Sequence, residues 1–299
     1  MQDKKMKLFS LIFLILIIYF NQAFVLLSQI TAYKQGYTMI TCSIGSASGA
    51  SYFESNGNRK SSLYDSIQRS TYTFDNSMIN GSIQAEYGIT DNILVRCSLP
   101  FTSYSLIEKF TVDSIGNRVI RKQMNTTLIN YCSLGGMYTF LRGKTIASLL
   151  AEYRLPSNQG NPLDSTNDFL GGLSKEALIG LQINIPFEKS WIAFSGSLSL
   201  RDSAWQNLAY IHSEIGFSTV EKTALMFFVD IQQAMGASRD IPTFEIRRFQ
   251  PAEQFTSVGA SFKIFPDDHL ILDAMYSLRV MGTNAWSIGN VALGAGYRW

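Results

Sequence analysis

The sequence predicts an all-β fold, a transmembrane antiparallel up-and-down β-barrel of about 12 strands. Three observations carry this reading. Apolar and polar residues alternate with period two along most of the chain, connections alternate between short and long, and no run of about 18 or more apolar residues follows residue 28. Successive side chains of a strand point to opposite faces, so the alternation puts one face in oil and the other in a polar interior. Without a spanning helix, a closed sheet is the remaining way across a bilayer.

The chain opens with Lys4, Lys5 and Lys7, then an apolar run from Leu8 to Phe20 broken by Ser10, then Asn21, Gln22 and a second apolar patch, Ala23 to Leu27. This charged, apolar and cleavage-region order is that of a secretory signal peptide, 1–28, with the cut near Ser28 and the barrel in 29–299. The competing reading is an uncleaved anchor helix over residues 8–27; Asn21 and Gln22 argue against it. Loss of the segment removes three Lys and one Asp from 25 basic and 23 acidic residues, leaving 22 of each. A neutral chain has no electrostatic reason to bind nucleic acid. Cys42, Cys97 and Cys132 are odd in number and lack metal-ligand spacing, so they read as structural, and neither metal nor cofactor is expected.

The first strand is assigned to Gln35–Phe53, rich in Ser, Gly and Tyr; Glu54 to Asn76, with the turn Asn56-Gly57-Asn58, is a hairpin tip or loop. Ile79, Gly81, Ile83, Ala85, Tyr87 and Ile89 then oppose Asn80, Ser82, Gln84 and Glu86, and after the turn Thr90-Asp91-Asn92 come Ile93, Val95, Cys97, Leu99 and Phe101. Thr126 to Phe140 is strand-like with less clean faces. Strands follow at Ala147–Leu155, Ala177–Ile185, Ile192–Leu200, Ile211–Phe217, Leu225–Ile231, Val258–Ile264 and Leu270–Leu278, each with odd or even positions apolar. Short turns fall at Thr90 to Asn92, Leu141 to Lys144, Pro186 to Ser190, Val220 to Lys222 and Phe265 to Asp268. Mostly longer connections fall between them, at Ser103 to Asn125, Pro156 to Asp168, Asp202 to Gln206, Ala237 to Gln254 and Met281 to Ala285. Short turns on one side and long loops on the other are the layout of membrane barrels. Twelve strands put both termini on the short-turn side, and counts of about 10 or 14 stay open.

The last strand carries Val291, Leu293, Ala295, Tyr297 and Trp299 at every second position back from a terminal aromatic. It resembles the insertion signal of Gram-negative outer-membrane β-barrels, with Trp in place of the commoner Phe. The resemblance implies the outer membrane as location and the barrel-assembly machinery and outer-membrane lipid as partners.

The polar face of the strands is the lumen, where function would lie. The inward set is Glu86, Arg96, Glu152, Arg154, Glu176, Arg201, His212, Glu214, Asp230, Lys263, Asp273, Arg279 and Arg298. Neither sign dominates. One reading is a polar pore for small hydrophilic or amphiphilic solutes; the other is an ion-pair network that crosses a narrow barrel, since buried charges must be paired. Trp191, Trp205, Trp286 and Trp299 lie near strand ends, where aromatic girdles anchor barrels, with sheet packing as the alternative. Barrel hydrolases place His and Ser two apart on one strand face, whereas His212 and Ser213 are adjacent and so on opposite faces. The Asp267-x-His269 spacing resembles the omptin protease pair, but falls in a short turn at the wrong end. No enzymatic role is expected.

Two patterns resemble a family of outer-membrane transporters grouped with the phenol-degradation-pathway outer-membrane proteins. One is the Gly36-Tyr37 opening with Tyr52-Phe53-Glu54-Ser55-Asn56-Gly57-Asn58-Arg59; the other is Glu86-Tyr87-Gly88-Ile89-Thr90-Asp91-Asn92-Ile93 closing with Leu99-Pro100-Phe101. The resemblance covers the first third of the chain after the signal segment and implies passive uptake of small solutes, hydrophobic or aromatic ones included. The alternative of a different class is a closed structural or adhesion barrel acting through its loops. A third is a soluble secreted β-sandwich.

Overall fold

The computed structural model describes residues 34–54, 56–65, 70–112, 118–129, 131–157, 174–202, 206–220, 222–235, 254–283 and 285–299. The expected signal segment, Trp205 and most of the Pro156 to Asp168 and Ala237 to Gln254 connections lie outside them. The strands are β1 (Thr38–Phe53), β2 (Arg59–Lys60), β3 (Ser62–Asp65), β4 (Ser70–Gly88), β5 (Ile93–Val112), β6 (Arg118–Ile129), β7 (Tyr131–Leu141) and β8 (Ile146–Pro156). They continue with β9 (Glu176–Pro186), β10 (Ser190–Arg201), β11 (Asn207–Val220), β12 (Thr223–Met235), β13 (Gln254–Ile264), β14 (Leu270–Thr283) and β15 (Ala285–Arg298).

Neighbours pair antiparallel in the order β1-β15-β14 and so on down to β8-β7-β5-β4, and β4 returns to β1. β6 and β7 are two pieces of one strand position, both lying against β5. The result is a closed ring of twelve strands. Closure leaves no edge, so the backbone is satisfied inside a medium where an unpaired group costs several kcal/mol. The seam joins Met39 to Arg298, Ile40 to Tyr297 and Ile44 to Leu293, with Thr38 and Trp299 exchanging backbone hydrogen bonds of 3.1 and 3.0 Å.

Period two sorts the faces. Every strand of the ring shows a large apolar side chain outward: Ile44, Ile83, Leu99, Leu134, Leu149, Ile179, Phe194, Ile211, Phe227, Val258, Leu272 and Leu293 are all exposed. A belt of that extent does not suit a water-facing surface, which disposes of the soluble sandwich. Cys42, Cys97 and Cys132 lie on this outer face as free thiols. Leu293, Tyr297 and Trp299 are about half exposed there, Ala295 is exposed, and Val291 is 1% exposed.

The short turns are built from local polar bonds. Thr90 Oγ1 accepts the amides of Asn92 and Ile93 at 3.2 and 3.0 Å, and Asp91 accepts the Gln35 amide at 2.8 Å, tying the chain's entry to the first turn. Gly57 takes φ 82° in the turn above β1, a conformation that costs Gly no side-chain clash. Asp267 accepts the amides of Leu270 and His269, both at 2.7 Å. These bonds, the Leu270 amide first, hold its carboxyl below the usual carboxylate value. A lowered folded pKa means that the stabilisation is present above the unfolded value and is lost as pH falls through the folded one. Protection of the Leu270 amide from hydrogen exchange is therefore expected to drop on acidification, and to become pH-independent in Asp267→Asn; equal pH dependence in both proteins would contradict this.

Two expected loops are strand instead. The Ser103 to Asn125 connection is a hairpin: β5 runs on to Val112 against β4 and β6, with Ser103 facing Ile79 and Thr127. Of Met281 to Ala285, the residues up to Thr283 belong to β14 and Ala285 opens β15. A ladder is made by backbone hydrogen bonds, so it can run on through residues whose charges make them read as a connection.

Candidate functional site

The inward positions of β5, β8, β9 and β10 carry a chain of five alternating charges. Arg96 Nη2 donates to Glu152 Oε2 at 2.8 Å, and Arg154 Nε donates to Glu152 Oε1 at 2.6 Å. Arg154 Nη1 reaches Glu176 Oε2 at 3.3 Å, and Arg201 Nε reaches Glu176 Oε1 at 2.9 Å. Ser199 Oγ adds a bond to Glu176 at 3.1 Å, and the Arg154 guanidinium lies 5.1 Å from the centre of the Tyr131 ring. Every side chain of the chain is at most 16% exposed, so these pairs are shielded from water and salt.

The first link depends on an absence. Arg96 faces Gly135 in register, and Gly135 faces Glu152, so the ion pair passes over a strand position with no side chain. A Cβ at Gly135 would stand 2.9 Å from the Ala151 carbonyl oxygen and 3.1 Å from Glu152 Cβ. Glu86, opposite Arg96 on β4, accepts from Gln84 Nε2 at 2.8 Å.

A second cluster occupies β10 to β14. His212 Nδ1 lies 2.6 Å from Asp230 Oδ1, its partner across the ladder, and Nε2 lies 3.6 Å from Glu214 Oε2. Trp191 Nε1 donates to Glu214 Oε1, and Ser261 Oγ to Asp273 Oδ1. The His212 ring stacks on Phe228 with centroids 5.9 Å apart. Lys263 faces Asp273 in register and is 1% exposed. The remaining two cations sit apart: the Arg279 guanidinium carbon is 3.8 Å from the centre of the Phe255 ring near the long-loop end, and Arg298 bonds the Asp268 carbonyl at the short-turn mouth.

The short-turn end of the interior is apolar, a feature absent from the sequence reading. Met39, Phe228, Ile271, Met275 and Ala292 form one cluster with Tyr37 and Phe265 against it; Trp191, Ala193, Ala224 and Met226 form a second. Leu94 and Met137 form a third, also under Tyr37. Its signal was the loss of alternation near the turns, as in Leu225-Met226-Phe227-Phe228-Val229 and Ile93-Leu94-Val95, where both faces are apolar. Trp191 and Trp286 are buried, which corrects their expected place in lipid-facing girdles. Trp191 lies over Gly216 and uses its N–H on Glu214, satisfying the indole inside; Trp286 packs edge-on against Tyr52 at 5.8 Å. Asp267 and His269 are spent on the turn, the ring Nδ1 lying 2.8 Å from the Arg298 carbonyl. Among the described residues no group of three or more His, Cys, Asp or Glu could hold a metal.

No protein-family model matches the chain, and no curated protein does. Among solved structures, an outer-membrane channel from Pseudomonas putida F1 aligns over 90% of this chain and 97% of its own, with 12% identity and a TM-score of 0.61. The translocator domain of the autotransporter NalP from Neisseria meningitidis aligns over 92% of each chain at 8% identity, TM-score 0.47. A mutant of TodX, a monoaromatic hydrocarbon channel, aligns over 95% of each at 10% identity, TM-score 0.46. The fold is that of an outer-membrane β-barrel, which with the apolar outer belt places the chain in the outer membrane.

Proposed function

We propose that the chain is an outer-membrane channel for passive uptake of small solutes, hydrophobic or aromatic ones included, and that its lumen is held narrow by paired charges. One observation supports the reading most: the buried chain Arg96–Glu152–Arg154–Glu176–Arg201 across the inner wall. A barrel that only had to stand in the membrane could fill this space with apolar side chains, which is often neutral or stabilising by about 1–4 kcal/mol relative to buried ion pairs. Ionisable groups at membrane depth mark solute and ion paths by default. The Tyr52–Arg59 and Glu86–Ile93 resemblances bring in the aromatic solutes. Val291, Leu293, Ala295, Tyr297 and Trp299 are proposed as the strand read by the assembly machinery.

Planar-bilayer recording tests the channel. Step conductance is expected from the purified protein, together with faster swelling of liposomes in small aromatic solutes than in sugars of similar mass. Absence of steps, with unaltered uptake in a deletion strain, would sink it. That outcome favours a closed structural barrel acting through its tall side, where β4 and β5 run 19 and 20 residues against 11 in β8.

A further inference from the structure

The lipid-facing wall is uneven between β10 and β14. Two neighbouring rows of outward residues cross these strands in register, and each is broken by one small side chain. Ser213 stands between Phe194 and Val229 in one row, and Ala260 between Phe227 and Tyr276 in the other. Where bulk is missing, the wall is hollowed: these residues line a concavity of about 670 Å³. Sites for small molecules span roughly 300–1,000 Å³. The ladders run through both rows in unbroken register, so the hollow is a dent in the wall and not a passage to the lumen.

Its chemistry is that of hydrocarbon. Glu214 borders it, but the carboxylate is engaged on the inner side, where it accepts from Trp191 Nε1, so an occupant meets no charge. Water would find few partners there, and an empty hollow would forfeit dispersion contacts along its lining. Phe194, Phe227 and Val258 belong to the exposed belt, so the medium that fills the hollow is lipid. Its shape suits a chain more than a compact solute. The row from Ile192 to Tyr276 crosses five strands, roughly 19 Å at the ordinary strand spacing, and slants across the bilayer because the strands tilt. Ile192 and Phe227 lie near the starts of β10 at Ser190 and β12 at Thr223, at the short-turn, periplasmic end, which favours the inner leaflet.

We infer that this hollow is a seat for one acyl chain of an inner-leaflet phospholipid, with the headgroup outside it at the interface and only hydrocarbon against Phe194, Ser213, Phe227 and Ala260. Such a seat is independent of whether the lumen conducts.

The purified protein, folded in detergent and stripped of lipid, is titrated with palmitoyl-oleoyl phosphatidylethanolamine, and bound lipids are counted by native mass spectrometry. One lipid per barrel is expected to bind ahead of all others, and the single-chain lyso form should compete for that place. Ser213→Phe and Ala260→Phe, which fill the hollow, should each weaken the first binding roughly tenfold or more. Leu149→Phe, on the exposed wall at β8, should leave it unchanged. Heat-modifiable migration on a gel certifies folding, and Phe194→Ala, which removes a wall of the hollow, carries the arm if a filled variant misfolds. The proposal is overturned if no lipid binds ahead of the rest, or if the folded variants bind it as the parent does. Displacement of the lipid by naphthalene at lower concentration than by hexadecane would give the hollow to aromatic solutes instead, and a dimer that the filled variants dissolve would give it to a second copy; either result overturns the proposal as well.

Discussion

Replacing Glu152 by Gln is expected to destabilise the barrel by about 3–5 kcal/mol, the cost of removing one partner from a buried charge pair. Glu152 alone joins Arg96 to Arg154, and its side chain is only 7% exposed, so neither guanidinium can turn to water when the charge goes. The measurement is guanidinium unfolding of the protein in lipid vesicles, followed by the loss of heat-modifiable migration. Under the channel reading, the surviving folded fraction should also conduct more, since the pairs that hold these long side chains in place along the wall are broken. Arg201, at the chain's end, bonds Ser174 and the Gln206 carbonyl as well as Glu176, so Glu176→Gln should cost less than Glu152→Gln. A larger cost for Glu176→Gln would mean that the five charges do not act as a connected chain.

On the outer face the second large effect is expected from Ile83→Arg. Ile83 is half exposed and lies midway along the outward run Ile79 to Tyr87, between Cys42 and Leu99 across the ladders. In a water-facing sheet an exposed Ile→Arg change falls within about 0.5 kcal/mol of neutral. In the middle of a bilayer it costs about 2–4 kcal/mol. Unfolding from vesicles separates the two, and a neutral result would remove Ile83 from the lipid-facing belt. Arginine at Tyr297, close to the rim, should cost about 0–1 kcal/mol by the same depth dependence.

The twelve-strand ring and its seam are legible in the residues because burial by lipid imposes a face on every strand, and a face with period two can be read one strand at a time. What the lumen does with its polar residues is a property of pairs. Arg96 and Glu152 are 56 positions apart and meet only because Gly135 lies between them in register. In the sequence Gly135 looks like a bend. His212 reads as a neighbour of Glu214, two residues along its own strand, yet its shorter contact is to Asp230 on the next strand. The hairpin of β5 and β6 escapes for a different reason: its ladder is made by backbone pairing, while Glu108, Lys109, Arg118, Arg121 and Lys122 make the stretch read as a polar loop.

The seam has a consequence for the order in which the barrel can form. Most contacts in the ring join neighbouring hairpins, whose loops cost little to close, whereas Met39 and Arg298 are brought together across nearly the whole strand-forming chain. By loop-closure entropy alone that pairing costs about 2 kcal/mol more than a hairpin of twenty residues. Until it forms, β1 and β15 are two open edges in a medium that tolerates none. Zipping of hairpins can therefore start anywhere around the ring, but the last event is the meeting of its first and last strands, and the height at which Thr38 finds Trp299 sets the stagger of the whole cylinder.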